Sequence, residues 1–225
     1  MKIAYKLILL IGILIGSTHI NAQNILPLPV NIRATYIDGT RTITGEPGKN
    51  YWQNKADYTI KVKFDPQSRN LSGTVSIDYI NNSPDSLKEI HFKLYPNLYK
   101  KGSIRNMPVN SDDITDGVQI QKLSINNQQQ STDQWIVDGT NMIVKTQLLL
   151  PKQSIHFDIS YSYILNKTSH IRTGQVDSGA FFIAYFFPRV AVYDDIDGWN
   201  RNHYQGTQEF YNDFSHFNAE ITVPG

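Results

Sequence analysis

The sequence predicts an all-β domain built as an antiparallel sheet or β-sandwich. Three observations lead there. Apolar residues recur at every second position in one run after another. Turn-forming residues separate these runs at short intervals, and no segment sustains a helical period.

The first strand is read from Tyr58, Ile60, Val62 and Phe64, which alternate with Thr59, Lys61 and Lys63. A two-residue period puts the apolar set on one face and the polar set on the other. Asp65, Pro66, Gln67 and Ser68 then turn the chain. Val75, Ile77 and Tyr79 repeat the pattern and stop at the turn-rich stretch 81–85, and Ile90, Phe92 and Leu94 make a third strand. Residues 100–117 are polar, with Gly102, Pro108 and the pair Asp112 and Asp113, and read as a long surface loop. Val118 and Ile120 open another strand. Residues 135–137 and 142–144 flank Asp138 and Gly139 as a hairpin, and Ile155, Phe157, Ile159, Tyr161 and Tyr163 alternate along a long strand. The last run is Phe217, Ala219, Ile221 and Val223. It stops abruptly at Pro224 and Gly225, so the expectation is a β domain over residues 57–225 that is truncated at its C-terminal end.

Ahead of the strands, Lys2 and Lys6 precede an apolar run at 7–15 and then small or polar residues up to Ala22. That arrangement predicts a signal peptide over 1–22 and an exported protein, periplasmic or extracellular. The run falls far short of the roughly 20 residues a membrane span requires. Residues 23–56, rich in Pro, Gly, Thr and Asn, read as an irregular leader that drapes over the domain. Lys plus Arg number 21 against 20 Asp plus Glu, which gives no single-sign field to recruit nucleic acid or an anionic membrane. The chain has no cysteine, so core burial rather than disulfides must stabilise it.

Aromatic and acidic residues concentrate in 179–199 and 209–214. Residues 181–187 read as a buried or groove-lining aromatic run. Arg189 is suited to a bidentate pair with a carboxylate, and Asp194, Asp195 and Asp197 border a turn. Asp194 and Asp195, adjacent on a strand, point to opposite faces, which argues against paired acid–base catalysis. A calcium loop ending at Gly198 fails, since Tyr193 and Tyr204 stand where ligands belong. No two of the six His are four apart, as a helical zinc pair requires, and His91 and His156 fall on the polar faces of predicted strands. Neither a Gly-x-Ser-x-Gly elbow nor a phosphate-binding glycine loop is found.

The stretch from Tyr51 and Trp52 through Asp57 to Ile60 resembles the opening of the aminopeptidase N-like gluzincin metallopeptidases, especially their exported Bacteroidetes-type members. The similarity runs on through Leu71 to Gly73, residues 81–87, and Leu94 to Asn97. It culminates in 187–199 and in Glu209, Phe210 and Tyr211. The resemblance implies a saddle-shaped N-terminal β domain that caps the substrate groove. Zinc, the Gly-x-Met-Glu-Asn strand and the His-Glu-x-x-His helix are then expected in a catalytic domain beyond residue 225. This chain is expected to hold neither catalytic residues nor metal, and to meet peptide only through the full enzyme. Tyr185, standing where relatives often carry a substrate-contacting Gln, and its neighbour Phe186 are the expected substrate-binding residues. Arg189, Tyr193, Asp194, Asp195, Trp199 and Glu209 form the structural motif. The alternative is a free-standing exported β-sandwich that binds peptide or glycan through 181–187.

Overall fold

The computed structural model describes residues 27–208 and 210–224. The predicted signal peptide, residues 23–26 of the leader, and Glu209 lie outside the described residues.

The domain is all-β, with two main sheets. The strands are β1 (Lys55–Asp65), β2 (Asn70–Ile80), β3 (Leu87–Lys93), β4 (Gln119–Ile125), β5 (Gln128–Gln129), β6 (Trp135–Asp138), β7 (Asn141–Leu149) and β8 (Ser154–Ile164). Shorter pieces follow: β9 (Thr173–Asp177), β10 (Ala180–Ile183), β11 (Arg189–Val190), β12 (Tyr193–Asp194), β13 (Gly198–Trp199) and finally β14 (Ser215–Thr222). The larger sheet runs in the order β14-β1-β2-β8-β4-β5, and the smaller in the order β11-β3-β7-β6.

The alternating sets fill the space between these sheets. Tyr58, Ile60, Val62 and Phe64 from β1, Val75, Ile77 and Tyr79 from β2, and Phe157 and Ile159 from β8 are all buried, as are Ile90 and Phe92 on β3. Phe92 meets Phe157 edge-on at 5.2 Å, which ties the two sheets together. The predicted hairpin forms between β6 and β7, where Asp138 pairs with Asn141 and Gly139 takes φ 53°, a conformation that glycine adopts without a Cβ clash.

One pairing departs from the antiparallel expectation. β14 runs parallel to β1, from Ala56 beside Ser215 to Lys63 beside Thr222. Alternation reports which face a residue takes, not the direction of the strand, so sequence periodicity does not distinguish the two cases.

The leader also holds a helix, α1 (Val30–Asp38), that was not anticipated. Thr35 is its one buried residue while Val30 and Ile37 are exposed, so no apolar stripe marks it in the sequence. Asn31 reaches Asp197, and Thr40 and Arg41 reach Asp195, which fastens the leader to the turn between β12 and β13.

His91 corrects a second expectation. It is 1% exposed instead of solvated, because residues 189–202 cover the face of β3 that alternation assigned to water. Its ring stacks on Trp199 at 5.2 Å and Nε2 pairs with Glu89 Oε1 at 2.7 Å, while burial lowers its pKa. Lys93, two residues along the same face, is also buried. Its ammonium donates to Asn141 Oδ1 and to the Asn202 carbonyl, both at 2.8 Å, and has no carboxylate partner among the described residues.

Burial pushes the Lys93 pKa down to about 8, whereas an unfolded lysine titrates near 10.4. Between those values the unfolded chain binds more protons, so the Lys93 contribution to stability rises with pH and is lost as pH falls through 8. Urea denaturation of the protein and of Lys93→Met across this window is expected to show that rise, on the order of 2 kcal/mol, only with Lys93 present. Equal pH slopes would contradict it.

Candidate functional site

Most residues of the 187–199 motif serve one packed cluster behind the sheets. Trp199 is buried against His91 and against Tyr193, with ring centres 5.1 Å apart in the second pair. Tyr193 stacks on Trp52 at 5.8 Å and donates its hydroxyl to Asp85. Asp194 caps the turn by accepting from the backbone N–H groups of Ile196 and Asp197, and its second oxygen accepts from the Tyr211 hydroxyl. Asp195 takes a bidentate pair from Arg41, which together with Thr40 holds its carboxyl below the usual range against the opposing effect of burial.

Asn54 sits at the centre of the same network. It donates to the Tyr79 hydroxyl at 2.7 Å and accepts from the backbone of Asn82 and Ser83. These contacts bring short motifs far apart in sequence into a single packed unit.

Arg189 does not make the carboxylate pair that its type suggested. It donates to the Asp213 backbone carbonyl at 3.1 Å and lies 5.1 Å over the Phe217 ring. The bidentate role falls to Arg41 instead, a residue whose leader position gave no signal of it.

Beside this cluster lies a cleft of about 250 Å³. Tyr95, Tyr185, Phe187 and Phe210 line it, with Arg172 and Arg189 among its charged residues and Asn212 beside them. Tyr185 meets Tyr95 at 5.6 Å and Phe210 at 4.6 Å. Its hydroxyl is turned into the protein, donating to the Ile171 carbonyl at 2.5 Å, and burial raises its pKa well above the ordinary tyrosine value. The ring is therefore a wall of the cleft while the phenol oxygen serves the fold. Phe186 faces elsewhere and lines a separate small apolar pocket with Val62, Phe64 and Ile221. The backbone bends at Tyr185, and this bend, not strand alternation, sends the two neighbouring side chains to different pockets.

Ile171, Arg172 and Tyr185 all have positive φ, at 46°, 61° and 44°. Such conformations cost non-glycine residues on the order of 1 kcal/mol each and cluster at functional sites. Sequence reading missed Arg172 altogether, since only its fold position distinguishes it.

Among the described residues no group of three or more His, Asp or Glu is placed to hold a metal ion. The donor set of a zinc site is thus not assembled by these residues. Among the described residues no helix is long and apolar enough to cross a membrane.

No protein-family model matches the chain, and no curated protein matches it. Among solved structures it is similar to an M1 zinc metallopeptidase from Deinococcus radiodurans, in a mutant bound to a Tyr-Ser-Ala substrate. That match has 14% identity and TM-score 0.44, covering 80% of this chain and 34% of that one. It is also similar to aminopeptidase A of Legionella pneumophila in complex with aspartic acid, at 6% identity and TM-score 0.35, covering 54% and 11%. The chain spans about a third of the length of the Deinococcus protein.

Two outcomes test this geometry. Tyr185→Phe is expected to lower stability by about 1 kcal/mol through loss of the Ile171 hydrogen bond, measured by urea denaturation. Asp213, part-buried beside Arg189, has its pKa raised to about 6, chiefly by burial. Its contribution is fully present below the unfolded value near 3.9 and is lost as pH rises through 6. Asp213→Asn is therefore expected to be the more stable protein above pH 6, by about 1–3 kcal/mol, and to converge with the parent below pH 4. Parallel pH curves for the two proteins would be the contrary result.

Proposed function

We propose that this chain is the non-catalytic N-terminal β domain of an exported zinc aminopeptidase, supplying one wall of a peptide groove. Zinc, the general base and the residues that polarise the scissile carbonyl come from a separate catalytic domain. The order and spacing of the motifs that resemble the aminopeptidase N-like family support this reading.

The observation that carries it is the state of β14. This strand lies at the edge of the larger sheet, pairs on one side only, and is exposed along most of its length. Phe214 is 87% exposed, Ile221 and Val223 60% each. An edge strand that, with its flanks, exposes large apolar residues beside open hydrogen-bonding groups is an aggregation hazard unless something covers it. A following catalytic domain is the cover this reading supplies. Phe182, 56% exposed on β10, favours the second reading, a free-standing peptide- or glycan-binding module, because an aromatic in water is available to a ligand.

The test is the gene beyond codon 225 and the protein it encodes. An in-frame His-Glu-x-x-His, with zinc-dependent release of N-terminal residues by the encoded protein and none by residues 1–225 alone, is expected. A stop codon directly after Gly225, with a stable monomer that binds peptide or glycan, would transfer the assignment to the binding module.

A further inference from the structure

Arg172 occupies an unusual place. His170 and Thr173 exchange backbone hydrogen bonds at 2.8 and 3.1 Å, leaving Ile171 and Arg172 as the two central residues of a tight turn. Both have positive φ, the signature of a turn that ordinarily carries Asn-Gly. A β-branched residue and an arginine are among the worse choices for it on conformational grounds. The turn is nevertheless held from three directions. Tyr185 donates its hydroxyl to the Ile171 carbonyl, Ala184 its backbone N–H to the Arg172 carbonyl at 3.1 Å, and Tyr99 its hydroxyl to the His170 carbonyl at 3.3 Å. Such over-determination is what allows strain to persist at a site.

The consequence of this holding is the position of one guanidinium. Arg172 lies over the Phe210 ring, 5.4 Å from its centre, beside the cleft that Arg189 also lines. Neither arginine is in ion-pair range of a carboxylate among the described residues. Arg189 spends one N–H on a backbone carbonyl, and Arg172 is exposed. The acids of the neighbouring motif are already engaged, Asp195 by Arg41 and Asp194 by its own turn and Tyr211. Two guanidiniums without an ion-pair partner thus stand beside a cleft walled by Tyr95, Tyr185, Phe187 and Phe210, with the Asp213 carboxyl acting on Arg189 electrostatically rather than through an ion pair. Planar cationic forks match a carboxylate, and the rings offer stacking to an apolar or aromatic group.

We propose that the Arg172–Arg189 cleft binds a carboxylate carried on a peptide, with an aromatic or apolar neighbour seated on the rings. This deepens the groove-wall reading and rests on it. The carboxylate comes either from an acidic side chain or from a free peptide C-terminus, both of which present the same planar anion. Tyr185 is a positioning residue here: its ring forms the wall, and its hydroxyl fixes the turn that presents Arg172.

Calorimetric titration of the purified chain with three peptides separates the possibilities. Acetyl-Tyr-Glu-amide carries a side-chain carboxylate, acetyl-Tyr-Gln with a free C-terminus carries a terminal one, and acetyl-Tyr-Gln-amide carries none. At least one acidic peptide is expected to bind about tenfold more tightly than the neutral amide, and whichever does so identifies the source. The advantage is expected to shrink as salt rises. Arg172→Glu, checked for a native circular dichroism spectrum, is expected to reverse the order and favour acetyl-Tyr-Lys-amide. Should that variant not fold, Arg172→Gln and Arg189→Gln must each still lose the preference. Equal affinity for all three peptides would overturn carboxylate recognition and leave the groove wall standing. No binding of any of them at millimolar concentration would remove both.

Discussion

The structure depends on the burial of two alternating faces against each other. β1, β2 and β8 turn their odd or even residues inward, β3 and β7 do the same from the facing sheet, and the contact between Phe92 and Phe157 marks the plane where they meet. Without disulfides to rely on, this apolar burial is the main favourable contribution available to the chain. Each fully buried Ile, Leu or Phe contributes on the order of 2 kcal/mol, and the set is large enough to anchor strands that are short and irregular elsewhere.

Residues 179–214 are of that irregular kind. Their strands are two to four residues long, too short to persist alone, and they are held by side chains. Trp199 stacks on His91 of β3 and meets Tyr193 edge-on, Tyr193 stacks on Trp52, and Asn54 ties Tyr79 to the turn at Asn82 and Ser83. A motif dense in aromatics and acids, which in isolation invites a catalytic reading, is here a fastening. The acids cap a turn and pair with the leader. Arg189 rests on the Asp213 carbonyl and the Phe217 ring and Arg172 on the Phe210 ring, so neither is spent in an ion pair.

That division separates fold from site within one segment. Phe186 packs toward the sheet edge and Tyr185 toward the cleft, so one residue serves the fold where its neighbour forms a wall. The strain at Ile171, Arg172 and Tyr185 lies on the cleft side, where the three hydrogen bonds from Tyr185, Ala184 and Tyr99 confine it. The buried pair His91 and Lys93 lies on the fastening side, under the same covering segment.

The sequence by itself determined which residues face inward on β1, β2, β3 and β8, and where the Asp138 and Gly139 hairpin turns, because a strand repeats every two residues and turns demand particular backbone angles. It did not disclose α1, which has no apolar stripe, or the burial of His91, whose ring is covered by Trp199 from a distant part of the chain. Strand direction at β14 was also beyond it, since parallel and antiparallel partners share one alternation. Only the tertiary structure decided that Asp195 pairs with Arg41 and that Arg172 joins Arg189 at one cleft. Charge pairing depends on distance in space, and nothing local to any of these residues records it.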